Sequence, residues 1–274
     1  MINALVFAAA ALGATHSGYE LEQQLVTRVP KPDGSFRERR QSFTVSIAKD
    51  RARLCYETGE HVIVRLDRGE VIQLDILLKN FKVKSFDDLR RAWEIANEMY
   101  LEGIEGAPLN HPRRVQMIDE LTDGPQKWAE VWKLPPGEGR AHLIAKYRLP
   151  EEPPVIEVRR ATETKTICDV ETRRYESLEN GKPMAWAFLA PSLPFDTRYF
   201  EFMELQQWIL PELSEKLRER RMRKAGMPLE TVMMTRSGAE VRVVTKSVTA
   251  AEFDDALFRT PADYKEQKTK SSFK

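Results

Sequence analysis

The chain has 274 residues, 31% of them charged and 42% apolar, with a formal net charge of +1. The near-balance of 43 basic and 42 acidic residues excludes a general nucleic-acid binder, and the apolar content excludes a disordered polymer. Two cysteines and four histidines leave little material for a metal or thiol centre.

Met1 to Ala14 is an apolar run ending in small residues, the form of a secretory h-region and cleavage site, although no Lys or Arg precedes it. It is too short to span a bilayer. We read residues 1–14 as a signal peptide, with a buried N-terminal strand or helix as the other reading, and expect a periplasmic or secreted protein. His16 is assigned to the leader region. Export would allow Cys55 and Cys168 to pair across a long loop; two separate thiols fit the spacing equally well.

From Gly18 the period is two. Tyr19, Leu21, Leu25 and Val29 share one parity, Pro30-Lys31-Pro32-Asp33-Gly34 is a turn, and Phe43, Val45 and Ile47 resume the alternation as the second arm of a hairpin. Ala52 to Tyr56, Val62 to Leu66 and Val71 to Leu74 continue an antiparallel meander. At Lys79 the period becomes helical. Ser85 is placed as an N-cap before Phe86, Leu89, Trp93, Ala96, Met99 and Tyr100, a second helix covers Pro112 to about Leu121, and Trp128, Val131 and Trp132 mark a third. The alternation of Leu143, Ala145, Tyr147 and Leu149 predicts a strand, and Glu151-Glu152-Pro153-Pro154 reads as a boundary.

Strands return from Val155. Lys165 to Tyr175 is followed by Asn180-Gly181, a type I′ hairpin signal, and by Met184, Trp186 and Phe188. Tyr199 to Lys224 is predicted as one long amphipathic helix, kinked or divided near Leu210 by Pro211. Phe202, Leu205, Ile209, Leu213 and Leu217 lie on its buried stripe, and Gly226 is placed as its C′ residue. Leu229 to Thr235 and Val241 to Val248 predict a last hairpin, Ala256-Leu257-Phe258 docks after it, and residues 266–274 are expected to fray.

The segments Leu66 to Asp75, Lys165 to Tyr175, Gly181 to Trp186, Gly226 to Leu229 and Leu257 to Lys265 resemble a bacterial envelope family similar to the LolA/LolB-like lipoprotein carriers. The resemblance covers about three fifths of the chain. It implies an α+β fold, a curved antiparallel sheet or incomplete barrel covered by helices, as a single domain over residues 18–265 interrupted by a helical insertion at about 79–154. In such carriers the concavity holds acyl chains.

No HExxH, GxSxG, P-loop or GxGxxG pattern occurs, which excludes the readily recognised hydrolase, zinc and nucleotide signatures. The expectation is a non-enzymatic protein without metal or other cofactor; an enzyme with an unfamiliar site would need a cleft of converging acids with His61 or His142. Trp186, Phe188, Phe202, Leu205, Gln206, Ile209, Leu213 and Met233 are the candidate lining of a hydrophobic cavity, in which flexible methionines would adapt to a ligand. Lys216, Arg220, Arg221, Arg223 and Lys224 form a basic helix end suited to an anionic surface, or simply to the helix dipole. The leading expectation is an exported non-enzymatic protein that binds an acyl chain, lipid or lipidated segment between sheet and helices. The alternative is an envelope protein-protein interaction or sensor module with a filled core, presenting the helices around Trp93, Trp128 and Trp132 to a partner.

Overall fold

The computed structural model describes residues 15–122, 124–206, 208–219, 224–235 and 238–267. The expected signal peptide, and Arg220, Arg221 and Arg223 of the basic helix end, lie outside these residues. The fold is α+β, with one open, curved sheet of twelve strands. In chain order it contains β1 (Thr15–Pro30), β2 (Phe36–Ala48), β3 (Arg51–Tyr56), β4 (Glu60–Arg65), β5 (Glu70–Asp75) and β6 (Asn80–Ser85). Four helices follow, α1 (Phe86–Gly106), α2 (Pro112–Glu120), α3 (Pro125–Lys133) and α4 (Glu138–Tyr147). Then come β7 (Ile156–Ile167), β8 (Val170–Glu179), β9 (Lys182–Ala190), α5 (Tyr199–Leu205), α6 (Pro211–Arg218), β10 (Met227–Met234), β11 (Glu240–Asp254) and the short β12 (Lys265–Glu266).

The strand order β12-β6-β5-β4-β3-β2-β1-β11-β10-β9-β8-β7 joins the N-terminal meander to the C-terminal one through the long pair β1 and β11. All pairs are antiparallel except β12 with β6. Period-two patterning decides the faces: Leu21, Val45, Leu54 and Val62 stand opposite one another across four strands and belong to one buried cluster. The opposite parity carries Ile63 and Ile72, paired across β4 and β5 and buried with Phe253 and Phe258 of the C-terminal segment. Both faces of this half of the sheet are therefore covered. The predicted Asn180-Gly181 turn is present with φ of 50° and 79°, and Cys168-Asp169 makes a second tight turn with φ of 50° and 60°.

Pro211 divides the predicted helix near Leu210, one of the two outcomes expected of it: α5 ends at Leu205 and Pro211 starts α6, where its missing N–H costs nothing. The apolar stripe is buried, with Phe202, Ile209, Leu213 and Leu217 each at most 3% exposed. Three other expectations are corrected. Gly226 is not a helix C′ residue; its φ of +90° leads into β10, where a Cβ would lie 1.8 Å from the Ala190 carbonyl oxygen. Residues 141–147 belong to α4 rather than to a strand, since Leu143 and Tyr147 share a helix face and the only β-branched residue in the predicted strand is Ile144; Arg148 ends the helix in the left-handed region. His16 belongs to β1, opposite Phe253, rather than to a leader.

The four central helices have their own core of Ile104, Ile118, Leu121, Val131, Leu134, Leu143 and Leu149. So small a core is reinforced by side chains that close helix ends. Ser85 Oγ accepts from the Asp88 N–H at 2.9 Å while the Asp88 carboxylate accepts from the Ser85 N–H, a capping box. Arg114 donates to the Ile104 and Ala107 carbonyls at the end of α1. Lys127, 1% exposed, donates to the Asp119 and Leu121 carbonyls at 2.8 and 2.9 Å and to the Tyr147 hydroxyl at 2.8 Å, with its ammonium 4.2 Å from the Tyr147 ring centre. One buried cation thus ties α2, α3 and α4 together. Replacing Lys127 by Met removes the ammonium from the Leu121 carbonyl and leaves the Asp119 carbonyl only the Tyr147 hydroxyl at 3.3 Å, and we expect Lys127→Met to destabilise the helices by about 2 kcal/mol. Urea unfolding followed by the fluorescence of Trp128 and Trp132 measures it; an unchanged midpoint would remove Lys127 from this role.

Candidate functional site

The concave face of the sheet meets α5 and α6 over an apolar cavity. Leu21, Val45, Ile47, Ala52 and Leu54 line it from the N-terminal strands, Leu229, Thr231 and Val243 from β10 and β11, and Phe195, Tyr199, Phe202, Met203 and Trp208 from the helical cover. The cover is fixed by aromatic packing: Trp208 lies 5.5 Å from Phe43 and 6.1 Å from Phe202, and Phe195 lies 5.3 Å from Tyr199, between ring centres. It is also pinned by polar bonds. The Tyr199 hydroxyl donates to the Ala48 carbonyl at 3.2 Å, and Ser214 Oγ donates to the Phe200 carbonyl at 3.1 Å. Burial raises the Tyr199 phenol above its ordinary value, so it stays protonated and able to donate.

The cavity volume is about 60 Å³. An engineered core cavity that admits benzene has about 150 Å³, and small-molecule pockets run to several hundred. At this volume the cavity does not accommodate an acyl chain in the conformation observed. Of the predicted lining residues, Phe202 borders the cavity. Ile209 and Leu213 are buried elsewhere in the same cluster, and Leu205 packs half-buried against it. Gln206 ends α5, its N–H donating to the Phe202 carbonyl. Trp186 and Phe188 alternate with Ala185, Ala187 and Leu189 on β9 and do not border the cavity: Phe188, 3% exposed, belongs to the same buried cluster and Trp186 packs against it, with the Arg174 guanidinium 4.8 Å from the Trp186 ring and the Lys165 ammonium 5.3 Å from that of Phe188. Met233 is half-buried opposite Ala185 and Val241. The lining absent from the predicted set comes from the sheet, whose signal is the inward parity of β1, β2 and β3, and from Phe195, Tyr199, Met203 and Trp208 of the cover.

One polar atom in this lining is unsatisfied. Thr231 is 3% exposed, and its Oγ1 finds no hydrogen-bond partner among the described residues. Beside it Glu230, 2% exposed, accepts from Lys165 at 2.6 Å and from Arg242 Nε at 3.1 Å. The Lys165 contact folds the tip of the β7 and β8 hairpin back onto β10.

The thiols are free, the second of the two readings that the spacing allows. Cys168, in the turn between β7 and β8, reaches the Thr245 carbonyl on β11 at 3.6 Å. Cys55, on β3, lies 3.6 Å from His61 Nδ1, an arrangement that could suggest a cysteine nucleophile. The chemistry does not follow. Arg53 donates to the same His61 nitrogen at 2.9 Å, burial lowers the His61 pKa, and burial raises that of the Cys55 thiol against the lowering effect of Arg53. At the end of β1, Asp255 accepts from His16 at 3.0 Å and pairs with Arg51 and Arg259; hydrogen bonding from His16 and Arg259 outweighs burial and holds the Asp255 carboxyl below its usual range. This group clamps the C-terminal segment to the sheet. Among the described residues no three His, Cys, Asp or Glu side chains converge as metal ligands. Of the basic helix end, Lys216 pairs with Glu219 at 2.9 Å and Lys224 is exposed.

A second concavity lies on the helices. A groove of about 580 Å³ runs between α1 and α3, lined by Trp93, Ile95, Leu101 and Ala129 together with Glu94, Glu98, Glu102, Glu105, Glu130, Arg91, Gln126 and Lys133. Beside it α1 exposes Ala92, Ile95, Ala96 and Met99, with Met99 73% exposed. Sequence reasoning placed Ala96 and Met99 on the packed stripe of α1. The packed side is instead Leu89, Trp93, Asn97, Tyr100, Leu101 and Ile104, in which Asn97 is buried and bonded to the Trp93 carbonyl and the Thr122 N–H.

Burial pushes the Glu230 carboxyl up, but hydrogen bonds from Lys165 and Arg242 outweigh it and leave its pKa lowered. A carboxyl depressed in the folded state contributes stability that is present above the unfolded value, about 4.3, and lost as pH falls through the folded value. Glu230→Gln should therefore flatten the acid limb of the unfolding midpoint between about pH 5 and 3. Parallel limbs in the two proteins would remove Glu230 from the acid response.

No family model and no curated protein matches this chain. Among solved structures it is similar to PNGF-II (13% identity, TM-score 0.36, 92% of this chain and 31% of that one). It is also similar to MucB in the Pseudomonas aeruginosa MucA/MucB complex (12% identity, TM-score 0.33, 90% and 57%) and to a LolA superfamily protein from Nitrosomonas europaea (9% identity, TM-score 0.30, 88% and 90%). The chain thus spans about a third of PNGF-II and just over half of MucB. At TM-scores of this size the likeness carries no functional argument.

Proposed function

We propose that this chain is a non-enzymatic interaction module of the cell envelope, its sheet a closed scaffold and its contact surface the outer face of α1. The observation that carries the reading is the contrast between the two concavities. The one under α5 and α6 retains about 60 Å³, while α1 leaves an apolar stripe of Ala92, Ile95, Ala96 and Met99 unpartnered beside an open groove. Apolar residues repeating at three and four along an exposed helix face are the arrangement by which helices recognise one another. The leader-like run Met1 to Ala14 supports the exported setting, and no helix among the described residues is long and apolar enough to cross a membrane.

A second reading, in which an acyl chain, lipid or lipidated segment enters beneath α5 and α6, has one observation in its favour. The cavity there is apolar, its cover consists of two short helices without side-chain N-caps, and the Thr231 hydroxyl in its wall is unpaired. On that reading the cover lifts to enlarge the site.

One preparation separates the two. The full chain carrying a photo-crosslinking amino acid at Met99, or at Thr249 on β11 as a control, is irradiated in the producing cells and purified, and the uncrosslinked fraction is weighed by native mass spectrometry. The interaction reading expects a discrete adduct at Met99 and not at Thr249, with a bare polypeptide mass. An acyl species near one per chain, with no Met99 adduct, would reverse the choice.

A further inference from the structure

The α1 face also constrains what kind of partner it takes. Resting on the interaction reading above, we infer that the partner is a cationic amphipathic helix of about four turns, seated along the groove between α1 and α3. Glu94, Glu98, Glu102 and Glu105 fall within a sector of about 80° on α1, at 100° per residue, and all four border the groove. Opposite them Glu130 of α3 adds a fifth carboxylate, against the two cations Arg91 and Lys133.

Those cations are already engaged, Lys133 with Glu130 at 2.5 Å and Arg91 with Glu94 at 3.9 Å. Among the described residues no cationic nitrogen lies within 4.0 Å of Glu98, Glu102 or Glu105. Glu94, Glu98 and Glu102 repeat at i, i+4, where like charges oppose the helix that bears them. The chain as a whole carries a net charge of +1, so this concentration is local to the groove. A bound cationic side chain would relieve that repulsion.

The shape of the charge selects an extended partner over a point ion. The carboxylates are strung from Glu94 to Glu105 and do not converge as a metal cluster. Ile95 and Leu101 share the groove with them, so its occupant presents apolar side chains as well as charge. Arg91 to Glu105 spans about 21 Å at 1.5 Å per residue, which a helix of about four turns matches. A cleft between two helices also accepts a third helix by the same ridge-and-groove packing that holds the pair.

The test uses the full chain and two synthetic 15-residue helices labelled with fluorescein, about the length just derived. One has leucines on one face and lysines on the other; its counterpart has glutamates for lysines. Fluorescence anisotropy should show the lysine peptide binding at least about tenfold more tightly than the glutamate peptide, with the difference shrinking as salt rises from about 50 to 500 mM. The double variant Glu98→Lys/Glu102→Lys should weaken the lysine peptide about tenfold or more and leave the thermal midpoint no lower, since both positions are exposed. Should that variant fail to fold, Glu98→Gln/Glu102→Gln replaces it, with a smaller weakening expected. Equal binding of the two peptides, or undiminished binding by a folded charge variant, overturns the cationic helix. An adduct at Met99 alongside equal peptide binding would leave the interaction module standing with a partner of different chemistry.

Discussion

The structure depends on one constraint: a sheet that curves without closing must have its concave face covered by something other than itself. Leu21, Val45, Leu54 and Val62 form an inward row that a closed barrel would bury against the facing wall. Here two short helices do so, and neither has length enough to be stable alone. They hold because aromatic side chains fill the concavity and because Tyr199 and Ser214 tie polar ends to backbone carbonyls. The same requirement accounts for the small cavity. A cover of Phe, Tyr, Trp and Met packed to ordinary protein density leaves gaps of the size of a few atoms.

The outer rows of the sheet meet the same problem with different means. On the N-terminal half, Ile63, Ile72 and Leu74 are covered by Phe253 and Phe258, and the ion pairs around Asp255 fasten that segment down. On the C-terminal half, charge takes the place of cover: Arg159 and Arg174 pair with Glu176, and Lys165 and Arg242 pair with Glu230, while Arg174 stacks on Trp186. Guanidinium and ammonium stems shield aromatic area that would otherwise face water. The edges are managed as well. β12 pairs along part of β6, and β7 is interrupted by a register shift between Arg160 and Thr164.

Much of this was legible in the sequence because period-two alternation and turn chemistry are local. The meander from Gly18 to Leu74, the Asn180-Gly181 hairpin, the Ser85 cap and the last hairpin follow from residues within a few positions of one another. Pro211 is legible in the same local way: it divides the helix near Leu210, and the apolar stripe from Phe202 to Leu217 is buried across the two short helices that result. The candidate site was less legible. A cavity wall is made by strands distant in sequence, so Leu21, Val45 and Thr231 share it through the register of the sheet. The aromatic residues Trp186 and Phe188 read as lining because they are large and apolar, yet they pack into and against the core cluster without bordering the cavity.

The α1 helix carries the same ambiguity in a form that bears on function. Its sequence supports two apolar stripes, one through Trp93, Tyr100 and Ile104 and one through Ala92, Ile95, Ala96 and Met99, and a helix can pack only one of them within a single layer. The choice is made by Asn97. Its side-chain amide donates to the Trp93 carbonyl and accepts from the Thr122 N–H, tying α1 to the segment that follows α2, and this attachment sets the stripe containing Asn97 on the inside. Burial of a polar residue thereby leaves the more uniformly apolar stripe in water. A helix needed only for stability gains by reversing that arrangement, with Asn outward and Ile and Met inward. The orientation observed suits a helix whose outer face is held available for contact.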